Sequence, residues 1–212
     1  MEIKLGVRVY SSDNRPAGDA SRVVIDPRSN ELTHFVIQKG VLFSDDRLAS
    51  IGSIYMSDDK RIIVEQASPD LMTLPQFADE QRVLAESSAP GGAVMNGAYS
   101  GAPVAAGGPR YIIQTTLNIP EGTVALKKDA KVIAGDGHSV GHVERVITAA
   151  GEHRVTHLVI AKGLLVRAHK LVPMEFVANL TEEEVDLTVN SPYLDSIDIV
   201  DYQPEMHLGE PV

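Results

Sequence analysis

The chain of 212 residues contains no cysteine and no tryptophan, and aromatic residues make up only 5% of it. The absence of cysteine excludes disulfide bonds, thiolate nucleophiles and sulfur-ligated metals. No run reaches the roughly 18 apolar residues of a membrane-spanning helix. The first ten residues, MEIKLGVRVY, alternate charged and apolar side chains and lack the apolar segment of a signal peptide. We therefore expect a cytoplasmic protein without direct membrane insertion.

Basic charge is also scarce. Nineteen Lys and Arg stand against 29 Asp and Glu, which gives a net charge of −10. An acidic surface repels a phosphate backbone, and the few aromatic residues are not interleaved with basic ones. We therefore expect protein partners and no nucleic-acid partner.

An internal repeat dominates the sequence. LTHFVIQKGVL at 32–42 returns as VTHLVIAKGLL at 155–165, and a shift of 123 aligns 9–71 with 132–194 without a gap. Sixteen of these 63 pairs are identical. The structural signature of the repeat includes the identical pairs Gly18/Gly141, His34/His157, Lys39/Lys162 and Gly40/Gly163. The period is longer than that of a solenoid repeat, so we interpret it as the duplication of one compact unit.

The duplication defines four segments. Residues 1–80 form the first repeat, 81–113 a linker, 114–198 the second repeat and 199–212 an acidic tail. Within the linker, 19 of the 26 residues from 85 to 110 are Ala, Gly, Ser or Pro. Such a segment buries too little apolar surface to offset its ordering entropy, which predicts flexibility.

Each repeat has the pattern of a small β-structure. Leu5, Val7 and Val9 alternate with Gly6, Arg8 and Tyr10, the period of a half-buried strand. The consecutive apolar residues of 35–37 and 158–160 predict a strand covered on both faces. Asp-Asn at 13–14 and Asp-Gly at 136–137 are typical of tight turns. Ser-Pro at 68–69 and 191–192 predicts an N-cap and the first residue of a short closing helix. These short strands predict two small β-barrels, closed or nearly closed.

The second repeat carries a recognisable pattern in GDGHSVGHVERV (135–146), VTHLVI (155–160) and LVPMEFV (171–177). The first repeat matches it in DNRPAGDASRVV (13–24) and LTHFVI (32–37), but it has Ser50 where the second repeat has Pro173. This pattern resembles the PRC-barrel family. The resemblance implies a mainly β protein with two PRC-type barrels in tandem, each closed by a short helix and joined by the flexible linker.

The resemblance also implies a role in docking. Members of the family include the cytoplasmic domain of the photosynthetic reaction-centre H subunit and the ribosome maturation factor RimM. We therefore expect a non-enzymatic interaction or scaffold protein that self-associates, either by pairing its two barrels within the chain or as a homo-oligomer. One alternative is an accessory factor in ribosome maturation or RNA processing, similar to RimM. Another is a subunit that docks onto a membrane complex of the photosynthetic type.

Sequence motifs for catalysis are absent. No G-x-S-x-G elbow, phosphate-binding loop or dinucleotide-binding fingerprint is present, so we predict no catalytic residue and no cofactor. Histidines four residues apart, at 138/142 and 153/157, would share a strand face, an arrangement that can hold a metal. Only His157 has a histidine, His34, at the equivalent position, and we predict no metal site. The two histidines shared by the repeats are expected to form hydrogen bonds with nearby backbone. The alternative is a pH-sensing role.

The partner surface is expected where the repeats differ. Segment 43–56 is polar and acidic, whereas its equivalent 166–179 is basic. The candidate contact residues are Asp45 and Asp46 in the first repeat and Arg167, His169 and Lys170 in the second.

Overall fold

The computed structural model describes residues 1–39, 45–84, 111–162 and 168–196, with the side chains of 79–84, 111–114 and 168 left aside. The strands of the first half are β1 (Glu2–Lys4), β2 (Arg8–Tyr10), β3 (Pro16–Asp26), β4 (Glu31–Gln38), β5 (Arg47–Ser50), β6 (Ile54–Ser57), β7 (Arg61–Val64) and β8 (Ala78–Leu84). Those of the second half are β9 (Tyr111–Leu117), β10 (Val124–Lys127), β11 (Lys131–Ile133), β12 (Ser139–Thr148), β13 (Val155–Lys162), β14 (Ala168–Pro173), β15 (Val177–Leu180) and β16 (Glu184–Leu187). The two helices are α1 (Ser68–Leu71) and α2 (Ser191–Ser196).

The strands form two equivalent seven-stranded sheets. The first has the order β5-β4-β3-β2-β7-β6 and the second the order β14-β13-β12-β11-β16-β15. The seventh strand of each sheet lies beside its longest strand, with β10 on β3 and β1 on β12. A mainly β fold with a short helix at the end of each repeat is therefore confirmed.

The prediction of closed barrels is wrong for the part of the chain that the structure describes. The two terminal strands of each sheet do not pair with each other there. In the first sheet the outer edge of β5 is occupied instead. The N–H of Leu48 donates to the carbonyl of Pro75 at 2.9 Å, and Arg47 forms a bridge with Gln76. These contacts lie along the edge of β5 that closure of the sheet would use.

The linker prediction requires a partial revision. Strands β8 and β9 pair along their whole length, from Ala78 opposite Leu117 to Leu84 opposite Tyr111. They form a two-stranded hairpin that is a compact unit of its own. Both ends of the predicted segment 81–113 are thus strands. Residues 85–110 and the tail 199–212 lie outside the described residues.

Several local predictions are confirmed. Phe35, Val36 and Ile37 on the central strand β4 are buried, as are their equivalents on β13 at 158–160. Asn14 and Gly137 have positive φ values of 59° and 81° in their turns. The predicted first strand differs, because Gly6 adopts a φ of +82° and separates β1 from β2.

One apolar core serves both sheets. It contains Ile3, Val23 and Phe35 of the first repeat and Leu126 and Val146 of the second, all fully buried. Burial of this kind contributes roughly 25 cal/mol per Å² of apolar surface. Because the two repeats share these contacts, neither repeat has a separate core of its own.

Candidate functional site

The aspartates shared by the two turns, Asp13 and Asp136, bind the N-termini of the helices. The carboxylate of Asp136 accepts the backbone N–H of Ser191 at 3.0 Å and its hydroxyl at 2.6 Å. The carboxylate of Asp13 accepts the N–H of Ser68 at 2.9 Å. Each serine is therefore the first residue of its helix and not the N-cap that we predicted. A carboxylate from 55 residues away satisfies the N–H because a charged acceptor bonds more strongly than a hydroxyl.

The electrostatics of this contact are pronounced. The hydrogen bond from the Ser191 hydroxyl lowers the pKa of Asp136 from its ordinary 3.8 to about 2. The Ser11 hydroxyl similarly lowers the pKa of Asp13. Both carboxylates therefore stay ionised at neutral pH and serve the fold.

The glycines that the two repeats share permit close backbone approach. A Cβ on Gly141 would lie 2.6 Å from the carbonyl oxygen of Ala161, and a Cβ on Gly18 would collide with the carbonyl oxygen of Gln38. Lys39 and Lys162 are exposed at or beside the ends of the central strands. Gly40 and Gly163 lie outside the described residues. The described part of the repeat signature is thus mainly structural.

The histidines that the two repeats share, His34 and His157, occupy different environments. Burial lowers the pKa of His34, and its Nδ1 has no hydrogen-bond partner among the residues that the structure describes. The Nδ1 of His157 lies 3.0 Å from the hydroxyl of Thr156. Neither Nδ1 makes the backbone hydrogen bond that we predicted. The partial burial of His34 favours its neutral imidazole form.

The predicted partner residues are not brought together. Asp45 and Asp46 precede β5 of the first sheet, whereas His169 and Lys170 lie on β14 of the second. Arg167 lies outside the described residues. Lys170 is only 7% exposed, so it presents little surface to a partner.

The individual contacts explain this placement. The Nζ of Lys170 donates to the carbonyl of Leu194 at 2.6 Å, and the guanidinium of Arg47, its repeat equivalent, donates to the carbonyl of Leu74 at 2.9 Å. Each cation thus binds a backbone carbonyl within, or shortly after, the helix of its own repeat. Arg47 also bonds Asp45, which lowers the pKa of that carboxyl, whereas burial raises the pKa of Asp46.

A buried ionic cluster includes His169. Its Nε2 lies 3.1 Å from the carboxylate of Glu144, which also lies 3.5 Å from Lys4 and 3.7 Å from Arg145. Burial would raise the pKa of Glu144, but the hydrogen bond from His169 and the two further cations lower it. Because Lys4 belongs to the first repeat, this cluster connects the two repeats.

Tyr55 is the surface residue that the sequence analysis did not select. It lies on β6, the terminal strand of the first sheet, and is 76% exposed. Its equivalent in the second repeat is Ala178. The sequence feature that indicates this residue is an aromatic side chain within the divergent segment 43–56, whose charged residues were predicted as the contact instead.

Ligand and metal sites are weakly supported. A cleft of about 470 Å³ beside β1 is lined by four cations and four carboxylates, so it favours no charge of ligand. These residues are Lys4, Arg8, Lys60, Lys128, Asp19, Asp59, Asp129 and Glu144. Within residues 1–39, 45–84, 111–162 and 168–196, no group of three or more His, Asp or Glu is arranged to hold a metal. The same residues include no helix long and apolar enough to cross a membrane.

Part of the second repeat matches a known family. Residues 128–195 match the family model of the PRC-barrel domain. This range runs from the residue after β10 to the penultimate residue of α2. No curated protein matches the chain.

Proposed function

Since residues 128–195 form a PRC-barrel domain, we propose that the chain is a non-enzymatic cytoplasmic protein that binds other proteins and also self-associates. The observation that carries the proposal is the exposed side chain of Tyr55 on a terminal strand, at a position where the second repeat has alanine. Tyrosine is enriched at the energetic centres of protein interfaces because it combines a large apolar ring with a polar hydroxyl.

Four of the polar residues shared by the repeats support a non-enzymatic role. Asp13 and Asp136 bind helix N-termini. Thr33 and Thr156 donate their hydroxyls to the carbonyls of Val24 and Ile147. A catalytic group needs a side chain free to reach a substrate, and these four side chains are engaged within the scaffold.

The proposal is tested by the native mass of the protein. Untagged protein is sedimented from a lysate of its source organism, and co-sedimenting proteins are identified by mass spectrometry. We expect the wild type to sediment above its own mass, and Tyr55→Ala to lose the companion with an unchanged melting temperature. A companion from the ribosome or from a membrane complex would identify one of the two alternative roles.

Tyr193→Ala is the matched control. Tyr193 is also exposed, at 51%, but its ring packs edge-to-face on Phe176 at 5.9 Å. This variant should keep the companion. A wild-type protein that always runs alone as a single chain would contradict the proposal.

A further inference from the structure

The contacts between the two repeats are reciprocal. Strand β1 of the first repeat pairs with β12 of the second, which places Ile3 opposite Val146. Strand β10 of the second repeat pairs with β3 of the first, which places Leu126 opposite Val23. These two pairs are related by the repeat offset of 123. Each repeat therefore gives its first strand to the sheet of the other, and we call the two places where this occurs the exchange seams.

The crossing point is the same in both directions. The N–H of Leu5 donates to the backbone carbonyl of Glu144 in the second repeat. The N–H of Gly6 donates to the backbone carbonyl of Ala20 in the first. Their equivalents, Lys128 and Asp129, bond Ser21 of the first repeat and Val143 of the second. Gly6 and Asp129 both have positive φ, at +82° and +61°. The chain thus turns sharply where it passes from one sheet to the other.

A local twofold axis relates the repeats. Glu31 forms an antiparallel bridge with Arg154, its own repeat equivalent. On either side, the backbone N–H of Leu32 donates to the carbonyl of His153, and that of Val155 donates to the carbonyl of Asn30, both at 2.8 Å. Contacts related in this way are isologous, the arrangement found in symmetric dimers.

Neither sheet is complete without a strand from another repeat. Ile3 and Leu126 are fully buried in the shared core. A repeat whose neighbour's strand is removed would expose the apolar residues that these side chains cover. Exposed apolar surface of this kind drives association.

We propose that the exchange seams are also the surface through which two copies of this chain associate, with the first repeat of one copy exchanging strands with the second repeat of the other. Such an assembly uses the contacts already present and needs no new ones, so it is favoured by protein concentration. The inference rests on the proposed function and deepens it, because it names a second copy of the chain as a partner.

Ionic contacts cross one of the two seams. Glu2 and Lys4 on β1 contact Arg145 and Glu144 on β12, at 2.6 Å and 3.5 Å. Exchange between copies would form the same charge-assisted contacts between two chains.

Cysteine crosslinking tests the proposal on a background free of native cysteine. Val24 lies directly opposite Ala125 across one seam, and both are buried. Full chains carrying Val24→Cys are refolded at high concentration with full chains carrying Ala125→Cys, then oxidised and separated on a non-reducing gel. Exchange between copies brings the two thiols together, whereas in chains closed on themselves each thiol is buried without a partner.

We expect several-fold more covalent dimer than from a control mixture of Glu65→Cys and Thr188→Cys chains. Glu65 and Thr188 are repeat equivalents of each other, and both are exposed and lie away from the seams. A chain carrying both Val24→Cys and Ala125→Cys, refolded at low concentration, reports whether the pair can form. If this double variant closes within one chain while the mixture yields no more dimer than the control, the proposal is overturned. That result would leave the Tyr55 experiment, and with it the binding of other proteins, unaffected.

Discussion

Asp136 shows how one side chain can join two distant parts of a repeat. Its carboxylate accepts hydrogen bonds from Ser191 across 55 residues, and these bonds are strongest when the carboxyl is ionised. The folded pKa of about 2 lies below the ordinary 3.8. The stabilisation is therefore complete above the ordinary pKa, and it is lost as the pH falls from about 4 towards 2.

Asp136→Asn should lower the melting temperature at pH 7 by a few degrees, because a neutral amide replaces a charged acceptor at the start of α2. The difference from wild type should shrink as the pH falls from 4 towards 2, where the wild-type carboxyl is protonated as well. Thermal unfolding followed by circular dichroism across this range measures both effects. Asp129→Asn is the control, since Asp129 is an exposed carboxylate without such a cap; a difference independent of pH would refute the assigned role.

The exchanged strands β1 and β10 are short elements with large effects. They contain three and four residues, yet Ile3 and Leu126 reach the centre of the shared core. Strands this short are not stable alone, and tertiary contacts hold them in place. Their importance comes from where they are inserted and not from their own propensity.

Ile3→Ala and Leu126→Ala should each destabilise the protein by about 2–5 kcal/mol, since each leaves a cavity in a packed core. Urea denaturation gives the free energy of unfolding. Met72→Ala, at a side chain 55% exposed, is the control and should cost no more than about 0.5 kcal/mol. A loss below about 1 kcal/mol for both core variants would mean that the exchanged strands are not packed as described.

The unit that contains both large sheets should behave as a single cooperative body. Its core draws on both repeats, and each sheet contains a strand of the other. Unfolding one repeat therefore exposes the core of the other. Two independent domains in tandem, as the sequence predicts, would instead unfold separately.

We expect one unfolding transition, with equal calorimetric and van't Hoff enthalpies, and a shift of the whole transition by either Ile3→Ala or Leu126→Ala. Differential scanning calorimetry of the wild type and both variants provides the comparison. Two transitions, of which each variant moves only one, would show that the repeats fold independently.

The local structure of each repeat is predictable from its residues alone. The consecutive apolar residues at 35–37 required a strand covered on both faces, and the Asp-Gly pair at 136–137 required a turn with positive φ. Ser-Pro marked both helices to within one residue of their starts. These features depend on neighbouring residues, and their duplication at an offset of 123 made them visible twice.

Which repeat receives each first strand depends on long-range packing. The acceptor strands β3 and β12 share the pair Arg-Val, at 22–23 and 145–146, so this local sequence does not distinguish one acceptor from the other. The turn at Gly6 directs β1 to the second repeat, and that choice is stabilised by contacts with residues some 140 positions away. The burial of Lys170 and the exposure of Tyr55 follow from the same long-range packing, which residue type and spacing do not encode.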